Sequence, residues 1–390
     1  MTPNSPAVTI TGIGSVSPYG PLAGLIPQTP LEPATITAWT TAEPRRAFLV
    51  PPFRAASVVP GLKTRRLDRL SAWALVASSL AIKDAGIDLN QVDRSRVAVV
   101  FATAFGCVEL TEAFYLSAAV NGWNGTDPST FPETLPSAPA SHVAMFHGLR
   151  GPNVTVSNKY FAGEAAVVQA ASLLRNGQAD LAIVLAGDAL AQTLYSWYDV
   201  AGLLSPACYN SQPSSEAGGF IPSEGVAALV MELSGHGAAR SDSRSDVRSY
   251  ARIRSGRWAA GGQPAEIIRT MFGGTTPGGT KRDETKPGGS VPSLILCSGN
   301  GAPCATSPTT ALARAISTDR DGAGAAIILP QPFALGLAGT GALFHLILGL
   351  SGKPGGKPSD ELGSRPVNGQ ALLLATAADS GFAAILLELL

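Results

Sequence analysis

Residues 148–177 decide the fold. Gly148-Leu149-Arg150-Gly151-Pro152-Asn153-Val154-Thr155-Val156-Ser157 runs through Asn158-Lys159-Tyr160-Phe161-Ala162 to Gly163, and an Ala-rich stretch then continues to Arg175 before Asn176-Gly177. Asn153–Ser157 has the composition of a strand. Gly163–Arg175 has that of a helix, with Asn176-Gly177 as its stop. The apolar run Leu181–Leu185 (LAIVL) follows at once. The order is strand, turn, helix, strand.

Working outward, further β-type runs appear at Arg96–Phe101, Val226–Met231, Ser293–Cys297, Ala325–Leu329, Ala371–Ala375 and Ala383–Leu389. Most are continuously apolar rather than alternating, as expected of strands covered on both faces. Between them, Leu67–Ala85 places Leu70, Trp73, Ala74, Ala77, Leu80 and Ala81 on one helical face and stops at Gly86. Thr309–Ile316 and Gly341–Leu350 are further expected helices. Strands alternating with helices predict an α/β layered architecture. The order Asn153–Ser157, loop, helix from Gly163 is echoed by Ala325–Leu329, loop, helix from Gly341, and each half closes on two more strands. This echo predicts a duplicated unit packed back to back, with two unrelated βα units as the alternative. Residues 18–60 and 234–292, rich in Pro, Gly, Ser and Thr, read as irregular, and much of the second stretch as mobile.

The bulk numbers narrow the function. The chain has 390 residues, 45% hydrophobic and only 14% charged, with 28 basic and 28 acidic side chains. So little charge hints at a large buried partner interface. A net charge of zero leaves no electrostatic footprint for nucleic acid or an anionic membrane. Cys107, Cys208, Cys297 and Cys304 stand singly, which fits a reduced, cytoplasmic setting. His142, His147, His236 and His345 show no ligand spacing with them, so no metal centre and no cofactor is expected. The strand-like run Ala7–Thr11 is not preceded by a signal-peptide pattern. Phe333–Leu350 carries no charged residue, but its glycines and His345 favour a loop leading into a buried helix over a membrane span.

Several motifs, taken in order, resemble the β-ketoacyl synthases, members of the thiolase-like fold. They are Val8-Thr9-Ile10-Thr11-Gly12-Ile13-Gly14-Ser15-Val16-Ser17-Pro18, Leu67-Asp68-Arg69-Leu70 ahead of a helix ending Asp84-Ala85-Gly86, and the Gly148–Ser157 stretch. Ala186-Gly187-Asp188-Ala189 and Pro222-Ser223-Glu224-Gly225 follow at the family's spacing. The likeness is good over residues 7–232 and loose over 248–390. It implies two duplicated βαβαββ halves in an α-β-α-β-α layering. Residues 1–232 would form the first half, 233–292 an irregular connection and insertion, and 293–390 the second half.

The resemblance also implies a site, and here the sequence departs from it. Family members carry a nucleophilic cysteine at the sharp turn opening the helix, where the helix N-terminus lowers the thiol pKa and its amides stabilise an oxyanion. That position holds Tyr160. A phenol with a pKa near 10 is a poor acyl acceptor. The family's first catalytic histidine is matched by Asn300, whose amide cannot exchange a proton near neutral pH. Counting back from Gly341-Ala342-Leu343 puts Leu335 at the second, and the family's nearby lysine falls around Pro330 or Gln331. His345 lies inside the following helix and reads as a packed residue.

A retained scaffold with an erased site resembles the chain-length factors of type II polyketide synthases. The resemblance implies a non-catalytic subunit that pairs with a catalytic ketosynthase and shapes the tunnel for a chain carried on acyl carrier protein. The product would be a polyketide, with a lean toward a polyene or highly reduced one. Known members carry Gln where this chain has Tyr160. The alternatives are a divergent condensing or decarboxylating enzyme with another nucleophile, or a homodimeric acyl-binding scaffold. In the family the helix after Thr103-Ala104-Phe105-Gly106 lies at the dimer contact and lines the tunnel. Cys107, Leu110 and Phe114, at i, i+3 and i+7, share one face there and are expected to set tunnel depth, with ordinary core packing as the alternative reading. Phe105, Phe131, Pro132 and Leu135 are expected at the partner contact.

Overall fold

Val97, Val99 and Phe101 point to one side of their strand, Ala98, Val100 and Ala102 to the other, and both sides are buried. The continuous apolar run is thus two interleaved core faces. The computed structural model describes residues 6–24, 31–39, 44–158, 161–204, 221–234, 249–259, 294–298, 326–328, 370–376 and 382–389. The described strands are β1 Val8–Ser17, β2 Gly20–Ala23, β3 Ala34–Ile36, β4 Arg45–Ala47, β5 Val97–Ala102, β6 Asn153–Val156 and β7 Leu181–Asp188. They continue with β8 Gly225–Leu233, β9 Ala251–Ala259, β10 Leu294–Ser298, β11 Ala326–Ile328, β12 Gln370–Thr376 and β13 Phe382–Leu389. The described helices are α1 Ala55–Val58, α2 Arg69–Asp84, α3 Val108–Asn121, α4 Ala138–His147, α5 Ala162–Arg175 and α6 Gln192–Val200.

One face of β5, β7 and β8 presents Val97, Ile183, Leu185, Val226 and Val230 to α2, which buries Leu70, Trp73, Ala77 and Ala81 against them. The opposite face presents mostly small residues, among them Ala98, Ala102, Ala182, Ala186 and Ala227, to the Ala-rich α5. Small against small lets α5 approach closely. Its Ala166, Val167, Ala170 and Leu174 join one cluster that also takes in Ala251, Ile253, Ile385 and Leu387 of β9 and β13. Helix α5 is therefore covered by strands of both halves. Each large apolar side chain fully buried this way contributes on the order of 1.5–3 kcal/mol.

The Gly12 and Gly14 pair of the opening motif has a steric reason. A Cβ at either would strike α2, at the carbonyls of Ala81 and Ala77. Helix α2 starts with Asp68 as its N-cap, the carboxylate accepting from Leu70 N at 2.8 Å, and its C-terminal turn closes on Gly86 with φ +59°.

The sheet order is β11-β10-β12-β13-β9-β1-β8-β7-β5-β6, with β2 paired to β1. Within it β5 pairs in parallel with β6 and β7, then β8 and β1 continue antiparallel. In the second half β10 pairs in parallel with β11 and β12, then β13 and β9 continue antiparallel. The two halves repeat one topology, and they join where β1 meets β9, through Val8↔Ile253, Thr9↔Arg252 and Ile10↔Ala251. The thiolase-like architecture and its duplication are as expected.

One boundary is corrected. The stretch read as irregular, 234–292, contains β9, which is the first strand of the second half. Its polar sequence, Ala-Arg-Ile-Arg-Ser-Gly-Arg, hid it. Two of its arginines lie toward β13, where Arg254 pairs with Glu388, while Ala251 and Ile253 face the core. The expected helices Thr309–Ile316 and Gly341–Leu350, and the segment Phe333–Leu350, lie outside the described residues. No helix among the described residues is long and apolar enough to cross a membrane.

A candidate functional site around helix α3

Strand β5 delivers the chain into the turn Thr103–Cys107, which β7 holds in place. The fully buried carboxylate of Asp188, at the end of β7, accepts from Thr103 Oγ1 at 2.6 Å, Ala104 N at 3.0 Å and Phe105 N at 2.9 Å. Thr103 Oγ1 in turn accepts from Gly106 N at 2.8 Å. Gly106 has φ +70° and packs beside Pro136, a conformation that costs a glycine little.

Helix α3 then starts at Val108 without a side-chain cap from Cys107, its own N-cap residue. Asp68 supplies what is missing. Its second oxygen accepts from Leu110 N at 3.2 Å, while the first caps α2. Burial pushes the Asp68 carboxyl up to about 6, against the pull of its two backbone donors and Arg69. Arg69 pairs with Glu109 at 2.9 Å and Glu224 at 3.1 Å and donates to Leu190 O at 2.7 Å. Glu224 is buried and also accepts from Val50 N and Leu190 N, yet burial still raises its pKa. Farther along, Glu112 accepts from Thr193 N at 3.1 Å, tying α3 to α6.

Cys107 and Phe114 are buried and Leu110 is half-buried, as are its neighbours Val108, Thr111 and Glu112. The Cys107 Sγ–H donates to Leu135 O at 3.6 Å, and burial, with Asp68 nearby, pushes its thiol well above the ordinary range. Phe114 packs on Phe131 at 5.8 Å between ring centres. The other side of α3 is bare. Leu116 is 62%, Val120 73% and Trp123 67% exposed, and Tyr115 stands between Phe114 and Trp123 with its ring edge-on to both.

Phe131, Pro132 and Leu135 are exposed and extend this surface. Phe105 departs from the group: half-buried, it packs against the cluster of Leu190, Leu194 and Tyr195 in its own chain. The extent of the apolar surface was readable in Val108-Glu109-Leu110-Thr111-Glu112-Ala113-Phe114-Tyr115-Leu116, where apolar residues fall on every helical face. The roles of Asp68 and Asp188 were not, because both accept from backbone amides distant in sequence.

Strand β6 ends the sheet path, and its outer edge is unpaired among the described residues. Between β6 and α5 the sequence reads Ser157-Asn158-Lys159-Tyr160-Phe161, which contains no thiol. Tyr160, Asn300, Leu335 and His345 lie outside the described residues. No cluster of ligands suited to a metal ion occurs among the described residues.

Comparison with known proteins gives the frame. The matched stretch is 26% identical to 3-oxoacyl-(acyl-carrier-protein) synthase 2 of Vibrio cholerae serotype O1, over 60% of this chain and 59% of that one. It is 30% identical to a putative polyketide β-ketoacyl synthase 1 of Streptomyces halstedii, over 63% and 62%. The chain thus spans about six-tenths of the length of these curated relatives. Among solved structures, the ishigamide ketosynthase/chain length factor superposes with a TM-score of 0.69 at 20% identity, covering 98% of this chain and 99% of that one. The AntDE:AntF complex, a type II polyketide synthase acyl-carrier protein with its ketosynthase, does so with a TM-score of 0.71 at 17% identity, covering 99% and 100%. At such identities these two speak for the fold. The sequence itself goes further: residues 26–235, more than half the chain, match the β-ketoacyl synthase N-terminal domain, and the chain belongs to the β-ketoacyl synthase family.

Proposed function

We propose that this chain is a chain-length factor, a non-catalytic subunit that pairs with an active ketosynthase and shapes the tunnel for a polyketide chain delivered by acyl carrier protein. One observation carries the reading: the sequence between β6 and α5, where the family places its nucleophile, has Tyr160 and no cysteine. Asn300 and Leu335 at the two histidine positions remove the groups that would activate an extender. Cys107 is no substitute, since its buried thiol stays protonated.

The bare side of α3 supports the partner. A contiguous apolar surface of Tyr115, Leu116, Val120, Trp123, Phe131 and Leu135 is costly to leave in water, and aromatic residues are what interface cores favour. The outer edge of β6, unpaired among the described residues, offers backbone donors and acceptors to a partner as well. The opposite side of α3, with Cys107, Leu110 and Phe114, is the wall that meets the growing chain. Small Cys107 leaves the tunnel open and Phe114 limits it farther in.

The test is co-expression with a ketosynthase that keeps its cysteine and two histidines. One-to-one copurification is expected, and intact-mass measurement after loading with an acyl donor should place the acyl group on the partner alone. An acyl adduct trapped on this chain during turnover would overturn the reading and favour a divergent condensing enzyme. Stable homodimers that ignore the ketosynthase would favour a scaffold.

A further inference from the structure

Helix α3 is an unusual wall. Of its 14 residues only Phe114 is buried, so packing alone fixes its position weakly. Its start, by contrast, is gripped from two directions. Asp188 takes three donors from the turn before it, and Asp68 takes Leu110 N from its first turn. Asp68 is 1% exposed and serves two helices at once, one oxygen to Leu70 N of α2 and the other to Leu110 N of α3. The positive ends of both helices converge on this carboxylate and partly offset the cost of burying it. Arg69 and Glu109, the next residue of α2 and the residue before Leu110, close the same junction as an ion pair.

We propose that Asp68 is a positioning residue for chain length: by capping α2 and α3 with one carboxylate it fixes where α3 starts, and so the depth at which Cys107, Leu110 and Phe114 meet the acyl chain. The inference rests on the tunnel reading given above. It differs from a stability role because helix α2, built on Leu70, Trp73, Ala77 and Ala81, is secured by its core, whereas α3 is held mainly by polar contacts in its first two turns.

The experiment uses the complex with the ketosynthase and the variants Asp68→Asn and Asp68→Ser. Asparagine and serine are both good N-caps, so α2 keeps its cap. The asparagine amide nitrogen cannot accept from Leu110 N, and serine does not reach it. Hydrogen exchange at Leu110 N should accelerate on the order of tenfold in both, with α2 amides unchanged, and the product-length distribution should broaden or shift while copurification stays one-to-one. Cys107→Trp is run in parallel. Unchanged lengths in the Asp68 variants beside shortened products from Cys107→Trp overturn the positioning role alone. Unchanged lengths in all three overturn the tunnel reading and the positioning role with it. If neither Asp68 variant copurifies but Cys107→Trp does, or if Leu110 N exchanges as in the native chain, Asp68 is a structural cap only.

Discussion

Glu133 and His142 meet at 2.8 Å, nine residues apart, and tie the turn that exposes Phe131 and Leu135 to helix α4. Both side chains are mostly covered, so the pair is worth more than an open surface contact. Replacing Glu133 with Ala should free this turn and weaken binding of the ketosynthase by about 1 kcal/mol, or roughly fivefold. Titration calorimetry or dissociation rates would check it. Unchanged affinity would place the turn outside the contact.

The bare side of α3 predicts a larger effect. Leu116→Asp or Val120→Asp puts a charge into the proposed partner surface, where an unpaired buried charge costs several kcal/mol. Both positions are open to water in the free chain, so the fold itself should be unaffected. Copurification should fail while circular dichroism stays native. Retained one-to-one copurification by both variants would show that the ketosynthase binds elsewhere.

Tunnel depth is tested by bulk. Cys107→Trp should shorten the products and Phe114→Ala should lengthen them, each read as a mass distribution from the reconstituted complex. Phe114 is buried and leans on Phe131, so its truncation should also cost about 3 kcal/mol of stability. Product length that ignores Cys107→Trp would return both side chains to plain core packing.

Two shielded groups, Asp68 and His147, titrate in opposite senses across one pH window. Asp68 is held at about 6 in the fold against 3.8, so the folded chain keeps a proton that the unfolded chain has lost. Its contribution is full below about pH 4 and falls as pH climbs through 6. His147, half-buried beside Ser78 and near Arg94, is held down to about 4 against 6.5, so its contribution is full above 6.5 and is lost as pH drops toward 4. Asp68→Asn should therefore make acid destabilisation steeper, and His147→Gln should flatten it. Urea midpoints at about pH 4.5 and pH 7 would separate them; parallel profiles for all three proteins would contradict both assignments.

Gly14 sets a limit on α2. A Cβ there meets the backbone of Ala77 and Ala81 rather than a flexible side chain, so neither element can yield cheaply. Gly14→Ala should cost about 3 kcal/mol, at the upper end for overpacking. A denaturation midpoint equal to the native one would mean that β1 and α2 do not approach so closely.

How much of this was readable beforehand follows from where each signal sits. Buried parallel strands such as β5 and β7 announce themselves because they carry unbroken apolar runs, and α2 because its face repeats at helical spacing. Strand β9 did not, since alternate arginines and small residues mimic a loop, and only pairing with β1 and β13 makes it a strand. Helix α4, which carries both Pro139 and His142, also passed unremarked, because its buried residues Ala138, Pro139, Ala140 and Val143 are bunched in its first two turns and show no helical period. The spacing of Cys107, Leu110 and Phe114 was visible, but the carboxylates that seat their helix were not. Asp68 and Asp188 act on amides 42 and 84 residues away, and nothing local marks such a bond.

The meeting of β1 with β9 has a further meaning. Each is the opening strand of its half, they run antiparallel, and each lies beside the closing strand of its own half. Two equivalent strands paired head to tail are what a dyad produces. The seam between the halves thus has the geometry of a two-fold contact, with two copies of one topology meeting edge to edge. The proposed pairing with a ketosynthase of the same build would set a second dyad beside this internal one, making the pair an assembly of four such units.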